Sequence, residues 1–586
     1  MIDATAVLGE GGTLVAEACN GFGKTVSTLA ALLPLDRPII YATRTHDQVR
    51  QVLSEVERIN QHSSQTFTAV NLASRDFLCL NTECRGHLPR EAQEICGALR
   101  KQETCPYRSD IENPPIGLPA VLSADALVTA GRRLRLCPYF LARRAARSRR
   151  VTVAPYPYVL DPKIRLMTGL DLEGRLLVLD EGHNVDQAAQ DTLSDSLSDR
   201  TLSQAADELR TLGINRAPLS HLADHLAEEA GDEPKLVSAG DAYEAVSKAL
   251  GGDITAFVEA HAPAVEAIRE RKQRAGDPPL SYLSGVITFL ELLDSGRRDR
   301  YAAVYRKGSY SSSLLEYRCL DPSLALRPLV DSASGTLIMS GTIGPLKLFA
   351  QLLGLSKPTL RSYPAIQASD HIEMTIDATV TTTYRERGPE MLARIGKIID
   401  RALPGVPNGA LIFFPQRELM ERSLDAWTRT GLIEVKGGRP YLGGKPLLRE
   451  GRDPRQNKDT VERFKTAAVS PTGAALTCVF RGRNAEGSNF PDEQCRGIFL
   501  VGVPYANYGD PIVRAQIAYH DHRGLGHSWY TMDAFRAANQ ALGRGVRSRS
   551  DWCRYWLLDK RYAQNEDLIS SWAKGSGPKV VMPEET

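Results

Sequence analysis

Three groups of residues in this 586-residue chain have the types and spacing for chemistry. The first is Glu17-Ala18-Cys19-Asn20-Gly21-Phe22-Gly23-Lys24-Thr25. Gly21 and Gly23 let backbone N–H groups close around phosphate oxygens, although Ala18 stands where the strict phosphate-loop pattern has its first glycine. Lys24 would reach the β- and γ-phosphates and the Thr25 hydroxyl would ligate Mg²⁺. The second group is Asp180-Glu181-Gly182-His183, in which Asp180 would hold Mg²⁺ and Glu181 would orient and deprotonate a water. The third is Gln540, Arg544 and Arg547, spaced by four and three so that they share one face of a helix. Guanidinium groups stay charged and bind phosphate oxygens bidentately, so this face could meet a γ-phosphate held by another domain. Together these residue types describe phosphoryl transfer from a nucleoside triphosphate.

A fourth set is less specific. Five of the ten cysteines, Cys79, Cys84, Cys96, Cys105 and Cys137, lie in one stretch among Gly, Pro, Arg and Glu. Thiols in polar company point to a metal or cluster site rather than to core packing. No Cys-x-x-Cys pair of the kind tetrahedral zinc favours is present, whereas iron–sulfur clusters take varied spacings; zinc stays open, and five thiols compete for four positions. Next come eight arginines between 132 and 150 with no acid among them: Arg132, Arg133, Arg135, Arg143, Arg144, Arg147, Arg149 and Arg150, with Tyr139 and Phe140 in the middle. Arginines neutralise phosphates and aromatic faces stack on unpaired bases, so this is a candidate single-strand contact; a solvated helix face is the plain alternative. Arg44 and Thr45, after a buried strand, are candidate phosphate contacts, or simply a helix N-cap.

The elements that must position these residues follow from apolar periodicity. Strands are predicted at 13–16, 38–43, 176–179, 336–339 and 410–414, and helices at 26–33 and 48–59. Helical spacing also marks 202–212, 242–250, 264–271 and 283–293. The fold class expected is α/β with two parallel-sheet domains and two insertions. The first sheet domain is expected at 1–72, 138–200 and 321–350, a cysteine module at 73–137, a mostly helical module at 201–320, and a second sheet domain at 351–586. About three or four domains suit the length. At 42% hydrophobic and 24% charged the composition is globular, and a net charge of +2 means that any nucleic-acid signal must be local. No apolar run approaches the roughly 20 residues of a membrane span and no signal-peptide pattern opens the chain, so a cytoplasmic, nucleoid or nuclear protein is expected.

With these residues assembled, the chain resembles an XPD-type (xeroderma pigmentosum group D-like) iron–sulfur helicase of superfamily 2, in an archaeal-like form, related to the DinG and FancJ groups. Residues 18–25 match the nucleotide-binding motif, and Asp180-Glu181-Gly182-His183 the Asp-Glu-Ala-His box with Gly182 in place of Ala. Ser74-Arg75-Asp76-Phe77-Leu78-Cys79 resembles the lead-in to the first cluster cysteine, and Cys105-Pro106-Tyr107 and Cys137-Pro138-Tyr139-Phe140 the third and fourth; Cys96 fits the second position better than Cys84. Ser340-Gly341-Thr342 resembles the motif coupling ATP to DNA. Residues 481–490 resemble Arg-Gly-x-x-x-Glu-Gly-x-Asp-Phe, with Asn489 for Asp, and 540–547 the last motif, which supplies the arginine finger.

The resemblance implies two RecA-like motor domains, an iron–sulfur domain and a helical Arch domain. As cofactors it implies ATP, Mg²⁺ and a 4Fe-4S cluster on Cys79, Cys96, Cys105 and Cys137. Gly21, Gly23, Lys24, Thr25, Asp180, Gln540, Arg544 and Arg547 would handle ATP, with Glu181 activating water. His183, Ser340, Gly341, Thr342, Glu486 and Gly487 would couple hydrolysis to movement. Arg44, Thr45, Arg132, Arg133, Tyr139, Phe140, Arg143 and Arg481 would contact DNA. The expected activity is 5′-to-3′ ATP-dependent unwinding by a monomer at single-strand/duplex junctions, with repair proteins as further partners. The alternative is a DNA-stimulated ATPase, translocase or repair-complex scaffold without processive unwinding. The family's upstream glutamine that reads adenine has no match in this sequence, so selectivity for the base is not implied.

Overall fold

The computed structural model describes residues 1–486 and 488–583. In chain order, β1 (Thr13–Glu17), β2 (Ile39–Thr43), β3 (Ala69–Asn71), β4 (Val121–Leu122), β5 (Val151–Pro155) and β6 (Leu176–Asp180) enter a first sheet. β7 (Asp195–Ser198), β8 (Lys235–Ser238), β9 (Tyr301–Lys307) and β10 (Ser313–Cys319) make a separate antiparallel sheet. β11 (Thr336–Ser340) and β12 (Thr359–Ser362) then return to the first sheet, whose order is β12-β1-β11-β6-β2-β5-β3-β4. Every pairing in it is parallel. β2, β6 and β11 are buried along their whole length because helices cover both faces, which is why they read as unbroken apolar runs.

The second sheet takes β13 (Ile372–Asp377), β14 (Gly409–Phe414), β15 (Glu434–Lys436), β16 (Arg439–Leu442), β17 (Lys445–Arg449), β18 (Ala474–Val479), β19 (Gly497–Val501), β20 (Cys553–Leu558) and β21 (Lys579–Val581). Its order is β15-β16-β17-β18-β14-β19-β20-β13-β21, parallel throughout except where β15, β16 and β17 fold back on one another. This is the expected α/β class with two parallel-sheet domains.

Two differences in organisation have simple causes. β12 pairs with β1, so the first sheet extends to Ser362, past the end expected at residue 350. The insertion read as mostly helical also carries the four-stranded β7–β10 sheet, which begins before residue 201. β7 is Asp-Ser-Leu-Ser and offers one buried apolar residue, so no alternation announced it. Five helices cover that sheet (Asp199–Thr211, Ala217–Glu229, Ala239–Leu250, Ile254–Arg274, Tyr282–Leu293) and share one apolar core with it. The longest runs through Pro263, the residue that broke its pattern in the sequence.

Parallel register sets the site. β1, β11 and β6 are neighbours, pairing Glu17 with Ser340 and Met339 with Asp180. The phosphate-loop segment, the Ser-Gly-Thr segment and the acidic pair therefore leave the sheet side by side at its C-terminal edge, where ligands bind in open α/β sheets.

Candidate nucleotide site and nucleic-acid interface

After β1 the loop turns through Gly21 (φ 76°) and Gly23 (φ 76°), conformations that favour glycine, into the helix Lys24–Leu32. Gly21 has a second reason to lack a side chain: a Cβ there would stand 1.9 Å from the Arg547 carbonyl oxygen of the second domain. Lys24 Nζ donates to the Ala18 and Cys19 carbonyls, both at 3.2 Å, folding the ammonium over the loop where phosphate oxygens would replace those acceptors. Asn20 Nδ2 reaches across to the Gly543 carbonyl at 2.8 Å.

Asp180, at the end of β6, is braced by two buried tyrosines that the sequence reading missed. Tyr41 on β2 donates to Asp180 Oδ2 at 3.1 Å, and the Tyr156 hydroxyl donates to the Asp180 carbonyl at 2.5 Å. Thr25 lies near the same hydroxyl, so one phenol stands by both candidate Mg²⁺ ligands. Burial, and then the neighbouring Glu181 charge, push Asp180 up to about 7, the signature of a carboxylate site short of positive charge. For Glu181 burial opposes ionisation, but the hydrogen bond and charge of His183, followed by Lys24 and Arg544, hold the carboxyl well below the usual range. Glu181 also sits at φ 55°, a left-handed conformation unusual for a non-glycine residue and common at reactive sites. At Gly182 a Cβ would meet Ile338 Cγ2 at 2.5 Å, a packing reason for glycine where the family pattern has alanine.

The helix bearing Gln540 is Gly526–Leu542, and it ends there. The single helical face drawn through 540, 544 and 547 is therefore a correction: Gly543 caps the helix, Arg544 lies on the turn beyond it, and Arg547 lies in the irregular segment that follows. Arg544 Nη1 donates to the Ser488 carbonyl at 3.1 Å and its charge acts on Glu181. Arg547 is largely buried, its basicity lowered first by that burial, with the Glu181 charge among its neighbours. Its Nε and Nη2 find no acceptor among the described residues.

His183 Nδ1 lies 2.5 Å from Ser340 Oγ and 3.3 Å from Glu181 Oε2, and Ser340 Oγ is 3.3 Å from that same oxygen. The Ser340-Gly341-Thr342 segment thus touches the acidic pair directly. From the second domain Trp572 Nε1 donates to the Gly341 carbonyl at 2.7 Å, and Ser570 Oγ to the buried Glu17 carboxylate at 3.1 Å. Of the remaining coupling residues, the Glu486 side chain and Gly487 lie outside the described residues.

The cysteine stretch gathers three thiols. Cys79, Cys84 and Cys96 are buried together, packed by Ile95, Leu99, Phe140 and Leu280. A hydrogen bond from Cys84 is the main cause holding Cys79 at about 7 and Cys96 at about 6, with Arg75 also favouring both thiolates. Cys137 is near enough for the charges of Cys79 and Cys96 to act on it, and burial raises it to about 11. Cys105 is half-buried and outside this group. Among the described residues no set of three or more His, Cys, Asp or Glu stands in metal-holding geometry. The donor type fits a thiolate-bound cluster; the assembled cage is not built.

The basic segment is largely spent internally. Tyr139 is 4% exposed beneath the Arg75 guanidinium at 4.1 Å, so stacking of a base on Tyr139 is corrected: no open face remains. Phe140 carries Arg100 at 4.4 Å and Arg143 at 5.1 Å on its ring. Arg143 also donates to the Met167 and Thr168 carbonyls, Arg144 to the Glu112 backbone carbonyl and Arg149 to the Pro119 and Ala120 carbonyls. Arg132 and Arg133 are exposed. Thr45 is the N-cap of the helix His46–His62, closing a capping box with Gln48, beside the exposed Arg44. Arg481 pairs with Asp533 at 2.6 Å.

A more open aromatic surface stands elsewhere. Loops after β13, β14, β19 and β20 enclose a groove of about 710 Å³ at the C-terminal edge of the second sheet. Tyr384 and Tyr508 project into solvent at 85% and 62% exposure, Arg387 lies 4.8 Å over Tyr384, and Tyr505 and Tyr530 pack at 5.0 Å. No motif marks these residues; the signal in the sequence was a run of Tyr after a strand, Tyr505-Ala506-Asn507-Tyr508.

The DEAD_2 family profile matches residues 41–202, and the helicase C-terminal domain profile residues 399–575. Regulator of telomere elongation helicase 1 of Bos taurus is 27% identical over 636 aligned residues, covering 92% of this chain and 51% of that protein. Its Drosophila erecta homologue is 25% identical over 634, covering 92% and 63%. This chain therefore spans 51% to 63% of the length of these relatives. Among solved structures, an XPD helicase superposes with a TM-score of 0.68 at 21% identity over 99% of this chain and 98% of its own. S. tokodaii Xpd4 gives 0.61 at 17% identity over 99% and 98%. These likenesses are of fold: two RecA-like parallel-sheet domains.

Proposed function

This chain belongs to the XPD-type group of superfamily 2 helicases, and we propose that it hydrolyses ATP between its two sheet domains to move along single-stranded DNA and separate duplex. The loop through Gly21 and Gly23 wraps the phosphates, Lys24 turns from Ala18 and Cys19 onto them, and Thr25 and Asp180 hold Mg²⁺. Glu181, kept ionised by His183, takes the proton of the attacking water. Arg544 and Arg547 meet the charge that develops on the transferring phosphoryl group, a role worth about 10³-fold or more in turnover. Gln540 lies in the last turn of the helix that leads to them.

One observation carries the reading: Nε and Nη2 of Arg547 are buried without an acceptor among the described residues, in a residue whose backbone carbonyl stands against Gly21 of the phosphate loop and whose guanidinium feels the Glu181 charge. Buried donors are rarely left unpaired, and a γ-phosphate is the acceptor that the surrounding residue types prepare for. The tyrosine-arginine groove on the second sheet favours an unpaired strand over duplex as the track, because stacking needs exposed bases. Polarity from 5′ to 3′ and a place in DNA repair rest on the resemblance alone.

Cys79, Cys96, Cys105 and Cys137 would hold a 4Fe-4S cluster, with Cys84 competing for the second position. When bound, the cluster supplies covalent thiolate cross-links across a stretch that has a small core of its own. ATP turnover by purified protein, with and without single-stranded DNA and with RNA in parallel, tests the proposal. Strong stimulation by DNA is expected. Stimulation by RNA alone would move the substrate class, and none by either would leave a nucleotide-binding scaffold.

A further inference from the structure

Arg536 crosses from one motor domain into the other beside the catalytic pair. It lies on the helix Gly526–Leu542, one turn before Gln540, and is 8% exposed. Its Nη1 donates to the His183 carbonyl at 2.6 Å and to both oxygens of Asp186 at 3.0 and 2.8 Å. Nε and Nη2 are buried without a partner among the described residues, and the guanidinium rests 5.5 Å from the centre of the Phe349 ring. A cation buried this way with a single carboxylate gains little stability, since its desolvation offsets the attraction, and an apolar side chain would pack there at lower cost.

What the arrangement does provide is a fixed distance. The His183 carbonyl follows Glu181 by two residues, and the His183 ring reaches Glu181 and Ser340. The same helix leads within two turns to Arg544. We infer that Arg536, held by Asp186, is a positioning residue for hydrolysis: it sets the backbone beyond Glu181 against the helix that delivers Arg544 and Arg547, so that base and arginines come into register together. The inference rests on the ATPase reading above. A residue acting in this way affects the chemical step and leaves ground-state nucleotide and DNA binding intact.

The experiment compares wild type with Asp186→Asn, Arg536→Met, Arg536→Lys and the Asp186→Asn/Arg536→Met pair. The readouts are kcat and KM for ATP with single-stranded DNA, affinity for a fluorescent ATP analogue, and Tm. The expected result is a fall in kcat of about tenfold or more for Asp186→Asn and Arg536→Met with KM and analogue affinity within about threefold. The double variant should be no worse than Arg536→Met, because both changes break one contact. Arg536→Lys should recover part of the loss, since one nitrogen makes all the present bonds. Unchanged kcat in a wild-type-like ATPase background overturns this inference alone, as do losses that add in the double variant or that follow Tm with Lys no better than Met. A wild type that does not hydrolyse ATP overturns the motor reading and this inference with it.

Discussion

Tyr41 shows how much of the candidate nucleotide site depends on residues that carry no motif. Its phenol donates to the carboxylate of Asp180 from inside the sheet, with Thr25 nearby. Tyr41→Phe keeps the ring and removes that link. A lost hydrogen bond to a charged acceptor is worth about 1.5–3 kcal/mol, so the Mg²⁺ concentration giving half-maximal ATP turnover should rise roughly tenfold or more while turnover at saturating Mg²⁺ changes little. An unaltered Mg²⁺ dependence would show that the phenol only fills space. In the sequence Lys24, Thr25, Asp180 and Glu181 could be proposed because phosphate chemistry restricts the residue types, and the structure brings their segments to one sheet edge. Tyr41 was not, because inside a buried strand a tyrosine reads as one more large apolar residue. Tyr139 erred in the other direction: an aromatic among arginines reads as a stacking face, yet here the arginines cover it.

At the scale of elements, the helix Pro511–Asp521 docks the second motor domain on the base of the helical module. Gln516 Nε2 donates to the Leu320 carbonyl at 2.7 Å and lies 2.9 Å from His520 Nε2, while Gln190 bonds both Leu320 and Gln516. His520 is 1% exposed, and burial, then the Arg523 charge, lower it from 6.5 to about 4. Asp186, Asp321 and Asp521 act against that shift without reversing it. Between those values an unfolded chain takes up a proton that the folded one refuses, so this contribution to stability is lost as pH falls from about 6.5 toward 4. Its size is at most about 3 kcal/mol. His520→Gln should flatten the acid limb of Tm against pH, and an identical limb in the variant would remove His520 from the account. The contact between cysteine and helical modules is of a different kind. Lys101 pairs with Glu266 and Glu270 at 2.8 and 3.0 Å, with the three side chains between 43% and 62% exposed. Such pairs add about 0–1 kcal/mol each and weaken with salt. None of these junctions was readable beforehand, because they join residues more than 100 positions apart and have no local period.

For the whole molecule, the order of strands and motifs was legible: apolar runs ending in polar residues fall on two parallel sheets, and the insertions interrupt them where the rhythm stopped. The boundaries were less so, since β4 and β12 are strands of two and four residues whose membership only pairing reveals. The cysteine module is the part where sequence and geometry agree least. If the cluster is present, Cys137→Ser should bleach the brown colour and abolish strand separation while keeping substantial ATP hydrolysis, because the proposed nucleotide site draws on residues of the two sheet domains and shares no ligand with it. A Cys137→Ser protein that unwinds as well as wild type would separate the thiols from function.

The central claim is that two sheet domains close on ATP and that this closure is linked to a single DNA strand. ATP hydrolysis with and without single-stranded DNA, on protein purified without oxygen, with Lys24→Ala alongside, tests it most directly. The account predicts low basal turnover in wild type, strong stimulation by DNA, and no turnover in a folded Lys24→Ala variant. Near-normal hydrolysis by Lys24→Ala, or wild-type turnover indifferent to DNA, would contradict it.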